Sequence, residues 1–262
     1  MARLVILKLG GSVITHKRSD KPAFASNVVE RLAEELARWY KAERPHLILL
    51  HGAGSFGHPL ARRYRLEGRM LDAGALKDAD RTSASVQALS ERLSVVLARA
   101  GVPAVPLRTS ALARKVHGSV VLDDYGHIGT ILANGGVPML AGDVVIEDGV
   151  RIAIASADAL VAPLAKHFRS DRILLATDVD GVYRHYPPRR DERPLARVDR
   201  GTLRALAVPA KSHEHDVTGA MTGKLAALLP LRGRRVCIFN ALRTGYLSDA
   251  LRGKSMGTLI TL

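Results

Sequence analysis

Short apolar runs rich in β-branched residues alternate along the chain with longer stretches in which apolar residues recur at helical spacing. Runs of the first kind predict strands. They are LVILKL at 4–9, LILLHG at 47–52, VPAVPL at 102–107, VPMLAGDVVIEDG at 137–149, a part of RILLATDVDGVY at 172–183, and RRVCIFNA at 234–241. Stretches of the second kind predict helices at 28–42, at 83–101 with Gly101 as the capping glycine, at 131–136 and at 157–168.

Strands separated by helices are typical of an α/β protein. Such a protein has a largely parallel sheet that helices cover on both faces. A soft boundary near 169–172, after the predicted helix at 157–168, divides the chain into lobes 1–170 and 171–262 of one continuous domain.

Composition narrows the class of protein. The chain has 262 residues, 47% of them hydrophobic, which is enough for a sizeable core. No uncharged run reaches about 18 apolar residues, so we expect no transmembrane helix. The start, MARLVILKLGGS, has no small-residue cleavage site, so we expect a first strand rather than a signal peptide. The one cysteine, Cys237 in VCIF, predicts a buried thiol and fits a cytoplasmic enzyme.

Charge favours anionic partners. The formal net charge is +14 and the isoelectric point about 10.4. Nucleic acid, a membrane surface and phosphorylated small molecules are all compatible with that balance. However, the arginines are spread along the chain, aromatic residues make up 4%, and no nucleic-acid motif occurs. Most of the arginines are therefore expected to form a solvated basic surface.

Glycine-rich turns follow three of the predicted strands, at LGGS 9–12, HGAGSFGH 51–58 and AGD 141–143. In an open α/β sheet, ligands bind outside the carboxyl ends of the strands, so three such turns at one edge predict one site. Glycine lets backbone amides approach a ligand oxygen closely. Amides only donate hydrogen bonds, so their expected ligand is an anion.

Pro59 refines this prediction, because proline is favoured at the first position of a helix. We therefore predict that a helix begins at Pro59, with Gly57 and His58 at its N-terminus. There the free amides and the helix dipole favour a phosphate, and His58 adds a donor. A lone histidine is otherwise more often structural.

Three lysines are candidates for the same site. Lys8 lies inside the first strand, where its charge is costly unless it reaches an anion; the alternative is an edge strand with Lys8 in solvent. Lys17 follows GGSVITH, but it also belongs to the charge run KRSDK of an ordinary surface. Lys224 ends DVTGAMTGK and enters a helix, and Leu225 after it excludes a P-loop. In TDVDGVY at 177–183, two carboxylates either contact a nucleotide or order the turn.

Lysines, a histidine and glycine amides around one cleft would bring negative charges together. Two unit charges 4 Å apart repel by about 4 kcal/mol at an effective dielectric constant of 20. Phosphoryl transfer depends mainly on positioning and on electrostatic stabilisation, and it needs no protein nucleophile. The residues therefore favour phosphoryl transfer.

The motifs KLGGS, HGAGSFGH, AGD, TDVDGVY and DVTGAMTGK occur in an order that resembles the amino acid kinase superfamily over essentially the whole chain. GSFGH, with its histidine, is similar to the isopentenyl phosphate kinases and to the related fosfomycin-phosphorylating kinases. The resemblance implies a three-layer αβα sandwich with a central, largely parallel sheet. It also implies a homodimer, with 1–170 as the phosphate-acceptor lobe and 171–262 as the nucleotide-binding lobe.

The resemblance further implies a reaction. The γ-phosphate of ATP, bound with Mg²⁺, would pass to isopentenyl phosphate and give isopentenyl diphosphate, a precursor in isoprenoid biosynthesis. The expected partners are this small phosphate acceptor and a second copy of the chain, with no nucleic acid and no membrane. No metal site made of protein side chains is predicted.

By resemblance, the site residues fall into three groups. The nucleotide side comprises Lys8, Gly10, Gly11, Ser12, Gly54, Asp178, Gly219 and Lys224. The acceptor side comprises Ala53, Gly57, His58 and Ala157. The predicted catalytic residues are Lys8, Lys17, His58 and Lys224.

Two departures from the family pattern keep other functions open. The family commonly shows Ser-Gly-Asp-Asp where this chain has SADA at 156–159, so Ala157 and Ala159 replace a glycine and an aspartate. The loop at 52–54 is GAG where GGG is common. One alternative is another small-molecule kinase, such as a fosfomycin-type phosphonate kinase. The other is a non-catalytic nucleotide or nucleic-acid binder, which the presence of all three lysines disfavours.

Overall fold

The computed structural model describes residues 4–16, 19, 21–170, 172–185, 188–208, 219–254 and 256–262. The strands are β1 (Leu4–Leu9), β2 (His46–His51), β3 (Ala104–Leu107), β4 (Ala113–Val116), β5 (Ser119–Leu122), β6 (Val137–Ala141), β7 (Asp143–Glu147), β8 (Arg151–Ala155), β9 (Arg172–Thr177), β10 (Arg197–Val198), β11 (Arg235–Asn240) and β12 (Thr258–Thr261). The helices are α1 (Gly11–Ile14), α2 (Ser26–Glu43), α3 (Gly54–Arg63), α4 (Ala73–Arg99), α5 (Thr109–Leu112), α6 (Gly126–Ala133), α7 (Val161–His167), α8 (Arg200–Leu206), α9 (Gly219–Leu228) and α10 (Tyr246–Leu251).

The central sheet has eight strands in the order β10-β12-β11-β9-β1-β2-β6-β3. Every neighbouring pair in it is parallel except β11 and β12, which run antiparallel. The prediction of a largely parallel sheet is therefore confirmed. A separate four-stranded sheet, β5-β4-β7-β8, was not predicted.

Helices cover both faces of the central sheet, which confirms the three-layer αβα arrangement. On β1, Val5, Leu7 and Leu9 face the core formed with α2, α4 and α10. Ile6 faces the opposite core, formed with α6, α7, α8 and α9. Alternate residues of a strand point to opposite faces, so Lys8 lies on the same side as Ile6. The division of the chain into lobes 1–170 and 171–262 stays a prediction.

The start of helix α4 differs from the prediction. Helix α4 begins at Ala73 rather than at 83, because the Asp72 side chain caps it by accepting the Ala75 amide at 2.5 Å. The added turns were missed because their apolar positions are small alanines packed against Leu66. The helix ends at Arg99, and Gly101 follows it with a φ of 92°, as predicted for a capping glycine.

The predicted strand at 137–149 is two strands in two sheets, β6 and β7, with Gly142 between them. A Cβ at Gly142 would lie 2.8 Å from the Ala157 amide nitrogen, so the chain can turn there only with glycine. Likewise, only Val161–His167 of the predicted helix at 157–168 is α-helical. Residues 157–160 form a turn, and this turn reaches the site described below.

Two predictions from composition can be compared with the structure. None of the helices within the described residues combines the length and the apolar character that a membrane span needs. Cys237 is a buried free thiol, as predicted, and burial raises its pKa to about 11. Its sulfur therefore remains a thiol at neutral pH.

Candidate active site

Three glycine turns meet at the carboxyl edge of the central sheet. β1, β2 and β6 are neighbours, with Leu9 beside His51 and His51 beside Ala141. The turns that follow these three strands therefore lie next to one another, as predicted.

The first two turns touch backbone to backbone. A Cβ on Gly11 would lie 2.5 Å from the Gly54 nitrogen, and one on Gly52 would lie 2.6 Å from the Gly11 nitrogen. Gly54 also has a φ of 50°, which favours glycine. Thr15 fastens the two turns, because its hydroxyl donates to Gly11 O at 2.7 Å and accepts the Ser55 amide at 3.0 Å.

The helix predicted to begin at Pro59 begins at Gly54 instead, so Pro59 is the sixth residue of α3. The prediction was wrong because the glycine turn passes directly into the helix. Gly57 lets α3 approach α4, since a Cβ there would lie 3.0 Å from Val86 Cγ2. His58 is exposed in the second turn of α3, while Ala53 occupies the N-cap position. The helix N-terminus thus lies at the Gly11–Gly54 contact rather than at His58.

Lys8, Asp158 and Lys224 form a buried ionic cluster near these turns. Lys8 Nζ lies 2.8 Å from Asp158 Oδ2, and Lys224 Nζ lies 2.9 and 3.0 Å from the two oxygens of Asp158. Both lysines are buried. β1 lies between β2 and β9, so the alternative of an edge strand with Lys8 in solvent is wrong.

Burial and charge set the protonation of the cluster. Burial lowers the pKa of Lys8 from 10.5 to about 8; Asp158 opposes this decrease and Lys224 adds to it. Burial alone would raise the pKa of Asp158, but Lys8 and Lys224 outweigh burial and lower it to about 2. At neutral pH Lys8 is therefore protonated and Asp158 is ionised. Two lysines around one carboxylate form a group that suits a phosphate.

The predicted nucleotide side contains a second set of contacts. Asp178 lies after β9 in the 177–181 turn, and Asp180 in the same turn is bound by Arg243 at 2.7 and 2.8 Å. Gly219 is the first residue of α9. Lys224 therefore lies inside α9. The prediction that it stands at the entry to a helix was wrong.

The remaining predicted residues are placed as follows. Gly10 precedes α1, and its amide donates to Ala176 O at 2.9 Å. Ser12 lies within α1. Ala157 is buried next to Asp158 and keeps a negative φ, so its alanine side chain fits without strain. Lys17 lies outside the described residues.

Two residues of the site were missed from the sequence. Asp158 was treated only as part of a departure from the family pattern, although a carboxylate just after an apolar run is a signal for partners such as Lys8. His51 is fully buried, with Nε2 2.9 Å from Ser90 Oγ and Nδ1 3.1 Å from Gly52 O. Burial lowers the pKa of His51 to about 4, so it is neutral and joins the second glycine turn to α4.

A cavity of about 710 Å³ lies away from this cluster, at the amino end of β2. Its lining includes Lys41, Arg44 and His46, together with the C-terminal ends of α2, α4 and α6. Basic side chains at helix C-termini complement the helix dipoles. We therefore assign no ligand to this cavity.

Comparisons with known proteins agree with the motifs and the geometry. Residues 3–240 match the amino acid kinase family. The isopentenyl phosphate kinase of Methanothermobacter thermautotrophicus is 36% identical over 98% of this chain and 99% of its own length. That of Methanocaldococcus jannaschii is 32% identical over 98% of each. A crystal structure of an isopentenyl phosphate kinase superposes with a TM-score of 0.83 at 32% identity, covering 98% of this chain and all of that one. The chain belongs to the amino acid kinase family.

Proposed function

We propose that this chain transfers the γ-phosphate of ATP to isopentenyl phosphate, giving isopentenyl diphosphate and ADP. Full-length similarity to isopentenyl phosphate kinases supports the acceptor. The observation that carries the proposal is the buried Lys8–Asp158–Lys224 cluster beside two touching glycine turns. Release of ADP with isopentenyl phosphate as the acceptor tests it.

The cluster offsets the main electrostatic cost of this reaction. Donor and acceptor are both anionic, and two unit charges 4 Å apart repel by about 4 kcal/mol at an effective dielectric constant of 20. Lys8 and Lys224 bind the transferring phosphoryl group from fixed positions, because Asp158 holds both ammonium groups within 3.0 Å. Fixed donors stabilise developing charge without having to reorganise during the reaction.

No general base is needed on the protein. The second pKa of a phosphate monoester is about 6, so at neutral pH the acceptor already carries an ionised oxygen. That oxygen forms the new bond to the γ-phosphorus as the bond to the bridging oxygen of ADP breaks. Both oxygens of Asp158 accept hydrogen bonds from lysines, so the role of Asp158 is to orient these lysines.

Mg²⁺ fits this site only as a companion of ATP. The described residues contain no group of three or more His, Cys, Asp or Glu side chains that could hold a metal ion. Mg²⁺ usually keeps several waters and binds substrate phosphates with few protein ligands. When bound, it would neutralise phosphate charge; the lysines and the backbone amides position the reactants.

His58 is proposed to donate a hydrogen bond to the acceptor phosphate. Replacing it with alanine is expected to raise the KM for isopentenyl phosphate by roughly 10- to 100-fold, the usual effect of losing one hydrogen bond to a charged group. The KM for ATP should stay within twofold. His58→Gln, which keeps a donor, should recover part of the loss. Equal changes in both KM values would show that His58 does not act on the acceptor.

The finer features also remain proposals. Lys17 is proposed to stabilise the transferring phosphoryl group. The residues proposed to bind ATP are Gly10, Gly11, Ser12, Gly54, Asp178 and Gly219, and those proposed to bind the acceptor are Ala53, Gly57 and Ala157. A cytoplasmic homodimer is proposed. Among the described strands, β3 pairs with β6 only, so it lies at the sheet edge. Val105 on β3 and Val95 on α4 are exposed there, which supports association of two copies through this edge.

The alternatives have less support. The full-length relatives are isopentenyl phosphate kinases, so a fosfomycin-type phosphonate kinase is not favoured. Two buried lysines share one carboxylate, so within the described part of the chain one positive charge of the cluster is left without a partner, and such a buried charge is costly. A non-catalytic binder would have no need of this costly arrangement.

A further inference from the structure

Glu35 is a buried carboxylate on α2 that the proposed reaction does not use. It is 2% exposed. Its Oε1 accepts hydrogen bonds from Arg31 Nη1 at 2.7 Å and from the Gly245 amide at 3.1 Å. Its Oε2 accepts the Ser248 amide at 3.0 Å. The first amides of a helix have no acceptor within the helix, so Glu35 fixes the start of α10.

Arg31 holds the other end of the same loop. Its Nη2 donates to the carbonyl oxygen of Ala241 at 2.7 Å. Ala241 follows β11 and Gly245 precedes α10, so Arg31 and Glu35 together hold both ends of the loop 241–245. These contacts join positions about 210 residues apart in the sequence.

The loop in turn holds the turn that contains Asp178. Arg243 binds Asp180 through Nε at 2.8 Å and through Nη2 at 2.7 Å. Asn240 Nδ2 donates to Asp180 at 2.9 Å, and the Ala241 amide donates to Thr177 O at 2.9 Å. A continuous series of hydrogen bonds therefore runs from α2 through the loop 241–245 to the turn 177–181.

Stability alone is a weak reason for such a pair. Buried ion pairs contribute little net stability compared with apolar residues of the same volume, whereas their directional bonds fix position. We infer that Arg31 and Glu35 are positioning residues, which hold the loop 241–245 and the turn 177–181 in the geometry that binds ATP. This inference rests on the proposed function, because that function assigns the turn to the nucleotide.

The test measures ATP affinity by calorimetry on the full chain without acceptor, together with the KM values of both substrates. Glu35→Gln keeps the shape of the side chain but replaces one acceptor oxygen with an NH₂ group. We expect the Kd and the KM for ATP to rise about tenfold. The KM for isopentenyl phosphate should stay within twofold. Glu34→Gln is the matched control, because it removes the same charge from a neighbouring side chain that is exposed. The ATP affinity of this variant should equal that of the wild type.

A second variant covers the case in which Glu35→Gln does not fold. Arg243 is half-exposed, so Arg243→Gln should fold while it breaks the link to Asp180. It should show the same ATP-selective loss, and Arg243→Lys, which keeps the charge but not the forked geometry, should recover part of it.

Several results would overturn the inference. They are unchanged ATP affinity in a folded Glu35→Gln, equal worsening of both KM values, or unchanged ATP affinity in Arg243→Gln. A wild-type chain that binds isopentenyl phosphate but no ATP would overturn the proposed function itself, and this inference with it.

Discussion

Asp158→Asn is expected to lower kcat/KM by roughly 10²- to 10³-fold, the range seen when a fixed donor to a transition state is lost, because Lys8 and Lys224 would lose their fixed positions. The variant leaves Lys8 and Lys224 buried and close together without the carboxylate that holds them. We also expect it to lose about 3 kcal/mol of unfolding free energy, at the lower end of the range for breaking a buried ion pair. The lower end applies because the Asp158 side chain keeps 17% of its exposure.

The pH dependence of kcat/KM tests whether the loss in Asp158→Asn comes from the protonation of Lys8. In the wild type, Lys8 has a pKa of about 8, so kcat/KM should fall as the pH rises through that value and Lys8 loses its proton. Removing the charge of Asp158 removes the interaction that raises the pKa of Lys8, so the fall should move to lower pH. The loss in Asp158→Asn should therefore be larger at pH 8.5 than at pH 6.5.

A matched control separates this effect from general charge removal. Asp123 pairs with Arg114 at 2.9 Å, but about half of each side chain is exposed. Asp123→Asn should change stability by less than about 1 kcal/mol and leave the pH profile in place. If Asp158→Asn kept wild-type kcat/KM across the pH range, the assigned role of the cluster would be wrong.

Gly11→Ala is expected to lower kcat/KM at least about 100-fold, because a displacement of about 1 Å at a catalytic site can have this effect. The new Cβ would lie 2.5 Å from the Gly54 nitrogen and 2.7 Å from its Cα, so the first two glycine turns must separate. We expect both KM values to rise, since the two turns face donor and acceptor in the proposed function. Overpacking should also cost about 1–3 kcal/mol of stability.

Gly129→Ala is the matched control for this variant. Gly129 lies in α6, and a Cβ there would be 3.8 Å from Phe168 Cε1, an ordinary contact. Its activity should equal that of the wild type, and its stability should rise slightly, because alanine favours helix more than glycine. Wild-type kinetics in Gly11→Ala would show that the contact between the turns is unimportant.

The parts of the fold that the sequence predicts are those with strong local patterns. β1, β2, β6, β9 and β11 are mostly apolar, since a parallel sheet covered on both faces buries both sides of each strand. The small sheet was missed because β4 and β5 are four-residue strands that include polar residues. Helix α3 was misplaced because the preference of proline for a first helical position is only statistical, and here the glycine turn passes directly into the helix at Gly54.

The glycine turns of the site were predicted from local sequence patterns, but the prediction of the site was incomplete because other contacts join distant parts of the chain. Glycines after buried strands are a local signal, so the turns at Gly11 and Gly54 could be found. The contacts of Asp158 are not local, because Lys8 is 150 residues away and Lys224 is 66 residues away. Only the folded sheet shows that a carboxylate after β8 meets a lysine on β1.

The measurement that tests the central claim most directly is ADP release with Mg-ATP and a panel of acceptors. The panel contains isopentenyl phosphate, dimethylallyl phosphate, fosfomycin, UMP and acetylglutamate, and Lys8→Ala serves as the control for contaminating kinases. The proposed function predicts strong turnover with isopentenyl phosphate, little with the last three acceptors, and loss of turnover in Lys8→Ala. No ADP release with isopentenyl phosphate, together with turnover of fosfomycin, UMP or acetylglutamate, would contradict the proposed function. Ala157 and Ala159 would then be the first residues to examine.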